Sequence, residues 1–67
     1  MSEMERVWTR MKTAASKLAR RKSLVDVAES RDTVLKICRR ESATPPPDAL
    51  EYLTTELVRL TLERQVP

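Results

Sequence analysis

Apolar side chains recur at spacings of three and four residues in three separate stretches of the chain, which is the period of an amphipathic α-helix. The stretches cover about residues 3–21, 24–40 and 48–64. No stretch shows the strict alternation of apolar and polar positions that indicates a half-buried strand. The pattern predicts an all-α protein in which three amphipathic helices form a small bundle or a helical hairpin.

The first predicted helix begins with a capping signal, because Ser2 and Glu5 have the spacing of a capping box. Its apolar stripe consists of Met4, Trp8, Met11, Ala15, Leu18 and Val25, with Lys22 as the one polar entry and with Val7 and Ala14 beside it. Continuing the same register would place Glu29 and Asp32 in the core. The register therefore changes, and we place the change at residues 20–23.

The second predicted helix has Ser23 and Asp26 as its N-cap and N3 pair. Its apolar positions are Leu24, Val27, Ala28, Val34, Leu35 and Cys38. The chain contains no glycine and no asparagine, the residues that most readily adopt the left-handed conformation at helix ends. One bent helix in place of the first two therefore stays open as an alternative.

Residues 41–47 form the predicted linker, because the run Pro45–Pro47 disfavours helix in the residues before it. Asp48 with Glu51 is the predicted cap of the third helix. Its seam consists of Leu50, Leu53, Leu57 and Leu60, whereas Tyr52, Val58 and Leu62 lie off that seam. A helix that is apolar on more than one face requires more than one neighbour.

The length of 67 residues allows one domain, residues 1–67, with a core that is marginal on its own. The single cysteine, Cys38, cannot form an internal disulfide. It fits an intracellular reducing compartment: the cytoplasm, the nucleus or the mitochondrial matrix. Cys38 is interpreted as an apolar core residue, with a thiol activated by its basic neighbours as the alternative.

The absence of histidine and glycine excludes histidine-dependent catalysis, phosphate-binding loops and nucleophile elbows. A chain this short also has little room for a preorganised pocket. We therefore expect a protein that is not an enzyme and has no metal, no cofactor and no small-molecule substrate.

The charge of the chain is distributed unevenly along its length. Residues 1–40 hold eleven basic and five acidic side chains, and residues 41–67 hold two and five. The segment from residue 6 to residue 22 holds seven basic side chains and no acidic one. A solvated helix face explains such a run, and contact with phosphates is the functional alternative. The candidate anion contacts are Arg10, Lys17, Arg20, Arg21 and Lys22.

Two further motifs have functional readings. Arg20–Ser23 matches the Arg-Arg-x-Ser pattern that basophilic protein kinases prefer, which makes Ser23 a candidate phosphorylation site. Residues 48–57 begin with Asp-Ala-Leu-Glu-Tyr-Leu-Thr, which resembles the start of the central helix of a histone fold. The resemblance covers about a third of the chain, with 32–40 in the place of the first histone helix. It implies nucleic-acid binding, but the third helix is shorter than the histone central helix.

Two functional hypotheses follow from these features. The first is a protein-interaction module, either a small subunit or adaptor of a complex or a homo-oligomer. The second is a basic helical nucleic-acid-binding protein that uses the face from residue 6 to residue 22. Membrane-surface attachment is the weakest option, because the first helix carries only one large aromatic side chain. The first hypothesis assigns the protein interface to Met4, Trp8, Met11, Leu18, Leu50, Leu53, Leu57 and Leu60.

Overall fold

The computed structural model of the protein describes residues 2–66 and contains three packed helices. Helix α1 comprises Glu3–Arg20, α2 comprises Val27–Arg40 and α3 comprises Pro47–Gln65. No strand occurs among residues 2–66. The predicted all-α bundle is confirmed.

The three helices run up, down and up. The side chains of Arg6 and Arg10, near the start of α1, contact Glu41 at the end of α2, so α1 and α2 are antiparallel. Near the other end of α1, Ser16 Oγ accepts a hydrogen bond of 3.2 Å from Arg64 Nε of α3, so α1 and α3 are parallel. Helix α3 packs extensively against both of the others, whereas α1 and α2 contact each other least.

The core lies along α3 and draws on all three helices. Its buried residues are Val7, Met11, Ala15, Val34, Ile37, Cys38, Ala43, Leu53, Leu57 and Leu60. Partly buried side chains packed against this core are Trp8, Ala14, Leu18 and Leu50. The expectation that α3 has more than one neighbour is confirmed. Thr54 and Thr61 are also buried on α3, where each hydroxyl donates a hydrogen bond of 2.8 Å to the carbonyl four residues earlier.

The predicted apolar phase of the second helix is wrong at its start. Leu24 is 97% exposed and precedes the helix, and Val27 is 61% exposed in its first turn. The buried face of α2 instead consists of Ser30, Val34, Ile37 and Cys38. The phase is set by the residues that meet α3, because only these gain free energy from burial.

The caps agree with the sequence at one helix. Ser2 and Glu5 form the predicted capping box, with both reciprocal hydrogen bonds at 3.2 Å. At α2 the predicted cap by Ser23 is wrong: Asp26 is the N-cap, and its Oδ1 accepts from Ala28 N at 2.8 Å and from Glu29 N at 3.2 Å. A carboxylate can accept hydrogen bonds from both N–H groups, and its negative charge interacts favourably with the positive end of the helix dipole.

Helix α3 begins one residue before the predicted cap, so that prediction is also wrong. Its N-cap is Pro46, which makes no side-chain cap hydrogen bond, and Pro47 is the first helical residue. Proline suits this position because its φ is already helical and the N–H it lacks would have no partner. Asp48 instead lies inside the first turn, where its charge favours the helix dipole.

Left-handed residues end both α1 and α2 without glycine. Lys22 and Ser42 each have φ of 55°. The N–H of Ala43 donates to the carbonyl of Cys38 at 2.7 Å and the N–H of Ser42 donates to that of Arg39 at 3.2 Å, which is the Schellman pattern. The first two helices are therefore separate, and the bent-helix alternative is wrong.

Candidate functional site: a basic groove between α1 and α2

An open groove of about 710 Å³ lies between α1 and α2. These two helices contact each other least, and the reason is the chemistry of their facing positions. Arginine and lysine side chains are costly to bury, so they keep their charged ends in water and hold the helices apart. We call this surface the basic groove. Its cationic side chains are Arg6, Arg10 and Lys17 of α1 and Lys36, Arg39 and Arg40 of α2.

Helical spacing brings these side chains together. Arg6 and Arg10 are four residues apart on α1 and Lys17 follows seven residues later, so all three lie on one side of that helix. Lys36 and Arg40 have the same spacing of four on α2. Because the two helices are antiparallel, the two rows of cations flank the same opening.

The floor of the groove is largely apolar. Ala14 and Ile37 lie there, and Ile37 is also part of the core. Three threonines line the groove, but their hydroxyls donate to carbonyls of their own helices: Thr9 to Glu5 at 2.9 Å, Thr13 to Thr9 at 3.4 Å and Thr33 to Glu29 at 2.9 Å. The ammonium and guanidinium groups are therefore the donors that the groove offers to a ligand.

Among residues 2–66, Glu41 is the only acidic residue that lines the groove. Its Oε1 accepts from Arg6 Nε at 3.1 Å and its Oε2 accepts from Arg10 Nε at 2.6 Å, and its side chain is only 10% exposed. The hydrogen bond from Arg10, with the charges of both arginines, lowers the pKa of the Glu41 carboxyl below its ordinary value. The other four cations of the groove form no ion pair within residues 2–66.

The excess of positive over negative charge is concentrated in the basic groove. The groove contains six of the 13 basic residues and one of the ten acidic residues, a balance of +5. The net charge of the chain is +3, so the remaining surface is −2. Helix α3 holds four acidic and two basic side chains, so it is acidic overall. Its Arg59 pairs with Glu56 at 3.0 Å and with Glu63 at 2.6 Å.

The structure divides the predicted anion contacts. Arg10 and Lys17 line the basic groove, whereas Arg20, Arg21 and Lys22 do not. Arg21 Nη1 instead pairs with Glu29 Oε2 at 2.7 Å. The predicted anion contacts did not include Lys36, Arg39 and Arg40. The spacing of these residues on one helix was visible in the sequence, but the sequence did not show which helix they face.

Four of the eight predicted interface residues belong to the core of the protein itself: Met11, Leu53, Leu57 and Leu60. Trp8, Leu18 and Leu50 are partly buried and pack against that core, and Met4 is 49% exposed. Contact of this set with a partner stays a prediction. Ser23 is exposed in the segment between α1 and α2, and its modification also stays a prediction.

Cys38 is a core residue at 3% exposure, as interpreted from the sequence. Burial, with a smaller effect of the charge of Glu3, raises the pKa of its thiol, which opposes the reactive thiolate. Across residues 2–66 no three potential metal ligands of the His, Cys, Asp or Glu type converge. None of the three helices, as far as they are described, has the length and apolarity to cross a membrane.

Comparison with protein-family models, with curated proteins and with solved structures finds no match for this chain. The resemblance to the histone fold therefore has no support beyond the residues that carry it.

Proposed function

We propose that this protein is a non-enzymatic helical module that binds the phosphate backbone of double-stranded nucleic acid in the basic groove. One observation carries the proposal: two helices direct six cations to one groove, and four of these cations have no acidic partner in the described chain. Phosphate contacts by lysine and arginine supply most of the affinity of sequence-independent binding.

The length of the groove supports a polymeric ligand. Arg6 and Lys17 are eleven residues apart on α1, which corresponds to about 16 Å at about 1.5 Å per residue. One strand of a duplex places a phosphate about every 3.4 Å along the helix axis, so about five phosphates pass over this distance. A series of contacts of this kind matches two rows of cations better than one small anion does.

The side chains of the groove favour a duplex over a single strand. Neither Trp8 nor Tyr52 lines the groove, so no aromatic ring is placed to stack on an exposed base. The threonine hydroxyls among the described lining residues donate to their own helices, so they do not serve as donors for reading base edges. We therefore expect binding that depends on charge and not on sequence.

The test is the salt dependence of binding to a fluorescent duplex of about 20 base pairs, measured by anisotropy. The double variant Lys36→Gln/Arg40→Gln removes two cations from the groove. Its logarithmic salt slope is expected to fall by about 1.8, that is, about 0.9 for each lost phosphate contact. The matched control is Lys12→Gln/Arg31→Gln, which removes the same charge from exposed positions outside the groove.

Two results would overturn the proposal. One is no binding at about 50 mM salt, where phosphate contacts are strongest. The other is an equal loss in the groove variant and in its matched control, because net charge alone would then explain binding. Binding to polyglutamate without binding to the duplex would reassign the groove to an acidic protein.

A second candidate function, a protein-interaction module, has support from the outward face of α3. Tyr52 and Leu62 are 63% and 49% exposed, and their spacing places them on the side of α3 opposite Leu57; Val66, which directly follows α3, is 71% exposed. Exposed apolar side chains on one face are typical of contact surfaces. Light scattering tests self-association: a mass above the monomer that falls in Tyr52→Ser/Leu62→Ser supports it, and a monomer at high concentration removes it.

A further inference from the structure

Glu41 stands out as an acid at a place that favours cations. It is the C-cap of α2, where the negative end of the helix dipole disfavours a carboxylate, and it follows Arg39 and Arg40. It also lies in the groove that otherwise holds only basic charges. Two arginines of α1 offset this unfavourable placement: Arg6 donates a hydrogen bond to one carboxylate oxygen of Glu41, and Arg10 donates one to the other.

The backbone fixes Glu41 at this position. The Schellman turn at Ser42 ends α2, and Ala43, directly after it, is buried in the core. The Glu41 side chain is 10% exposed, so the carboxylate is held between the two arginines and is not a mobile surface group. Two guanidinium groups on one anion are the arrangement that also binds a phosphate, because charge-assisted N–H donors point at both oxygens.

We propose that Glu41 is an intramolecular substitute for a phosphate: it occupies the Arg6–Arg10 end of the basic groove in the free protein, and nucleic acid displaces it. This inference rests on the proposed function. An attached carboxylate competes at an effective concentration in the millimolar range. A single phosphate ion competes poorly with it, whereas a duplex also gains contacts to Lys17, Lys36 and Arg40. Glu41 thereby selects for polyanions.

The experiment compares the wild type with Glu41→Gln in the same duplex titration over a range of salt. Glu41→Gln removes the carboxylate that the duplex has to displace, so it should bind the duplex more tightly than the wild type at each salt concentration. The expected gain is about twofold to fivefold, the usual strength of an exposed ion pair. Binding of inorganic phosphate alone, measured by calorimetry, should also be tighter in Glu41→Gln than in the wild type.

Glu29→Gln is the matched control. Glu29 also bridges α1 and α2, through Arg21 at 2.7 Å, but it does not line the basic groove. It changes the net charge by the same amount and removes an ion pair between the same two helices, so it should raise the affinity for the duplex less than Glu41→Gln does. Adding Arg10→Gln should weaken binding more in the Glu41→Gln background than in the wild type.

The outcomes separate the two proposals. If the wild type does not bind the duplex, the proposed function and this inference both fall. If the wild type binds and Glu41→Gln behaves as Glu29→Gln does, only the role of Glu41 is overturned. A second measurement needs no variant: the carboxyl ¹³C resonance of Glu41 in the wild type should shift as duplex is added. A resonance that stays fixed while the Lys36 and Arg40 signals move overturns the inference.

Discussion

Replacing Ser42 by glycine tests whether the turn that positions Glu41 stores conformational strain. Ser42 has φ of 55°, in the left-handed region, where its Cβ approaches the following carbonyl oxygen. The turn is nevertheless required, because the N–H groups of Ser42 and Ala43 close α2 on the carbonyls of Arg39 and Cys38. Glycine keeps these hydrogen bonds and removes the steric conflict.

The expected gain is worked out from two opposing effects. A left-handed L-residue costs roughly 1–2 kcal/mol. Removing this cost is partly offset, by about 0.5–1 kcal/mol, because glycine has more conformational freedom in the unfolded chain and loses it on folding. Ser42→Gly should therefore raise the free energy of unfolding by about 0.5–1 kcal/mol. For a domain of this size that is about 2–8 °C in the midpoint of thermal unfolding, followed by circular dichroism.

The matched control is Ser42→Ala, which keeps the Cβ and should give no gain. Lys22→Gly should give a similar gain, because Lys22 has the same φ at the end of α1. The assignment of strain to this turn is refuted if Ser42→Gly unfolds at the same temperature as Ser42→Ala and no higher than the wild type.

Three further predictions concern the core and its titratable groups. Leu57→Ala should lower the free energy of unfolding, measured in urea, by about 2–5 kcal/mol, since Leu57 is fully buried. The exposed control Tyr52→Ala should change it by less than about 0.5 kcal/mol, and equal effects of the two variants would contradict the packing. Cys38 should react with a thiol reagent only as fast as the protein unfolds, and immediate labelling of the folded protein would show that it is accessible. Folding lowers the pKa of the Glu41 carboxyl, so the contribution of its ion pairs to the free energy of unfolding is present above pH 4.5 and is lost as the pH falls through the folded-state pKa. The difference in unfolding free energy between the wild type and Glu41→Gln should therefore shrink at lower pH. A difference that stays constant down to full protonation would contradict the ion pair.

The interior of each helix was predictable, but several helix ends were not. Local spacing of apolar residues is a property of the chain itself, so the seam Leu53–Leu57–Leu60 could be read directly. The cap of α2 could not, because Ser23 and Asp26 both have the right chemistry and the turn at Lys22 decides which one begins the helix. The start of α3 depended likewise on whether Pro47 continues the linker or opens the helix.

The candidate site was only half predictable. The basic run on the first helix was visible in the charge pattern, and Arg10 and Lys17 were among the candidates that it indicated. The second row of cations begins at Lys36 on a different helix, where these basic residues were considered only as sequence neighbours of Cys38. Glu41 was assigned to a linker, since a carboxylate at a helix end acquires a role only from what lies across from it.

The sequence alone determined that the protein is helical, roughly where its three helices lie and that its first part is basic. These properties depend on neighbours within about four positions along the chain. The tertiary structure decided which apolar residues are buried, and it placed four of the eight predicted interface residues in the core of the protein itself. It also brought α1 and α2 together in antiparallel orientation, which places Arg6 and Arg10 against Glu41, more than 30 residues away. Such pairs depend on how the helices pack against α3, because spacing within a single helix cannot specify what faces it.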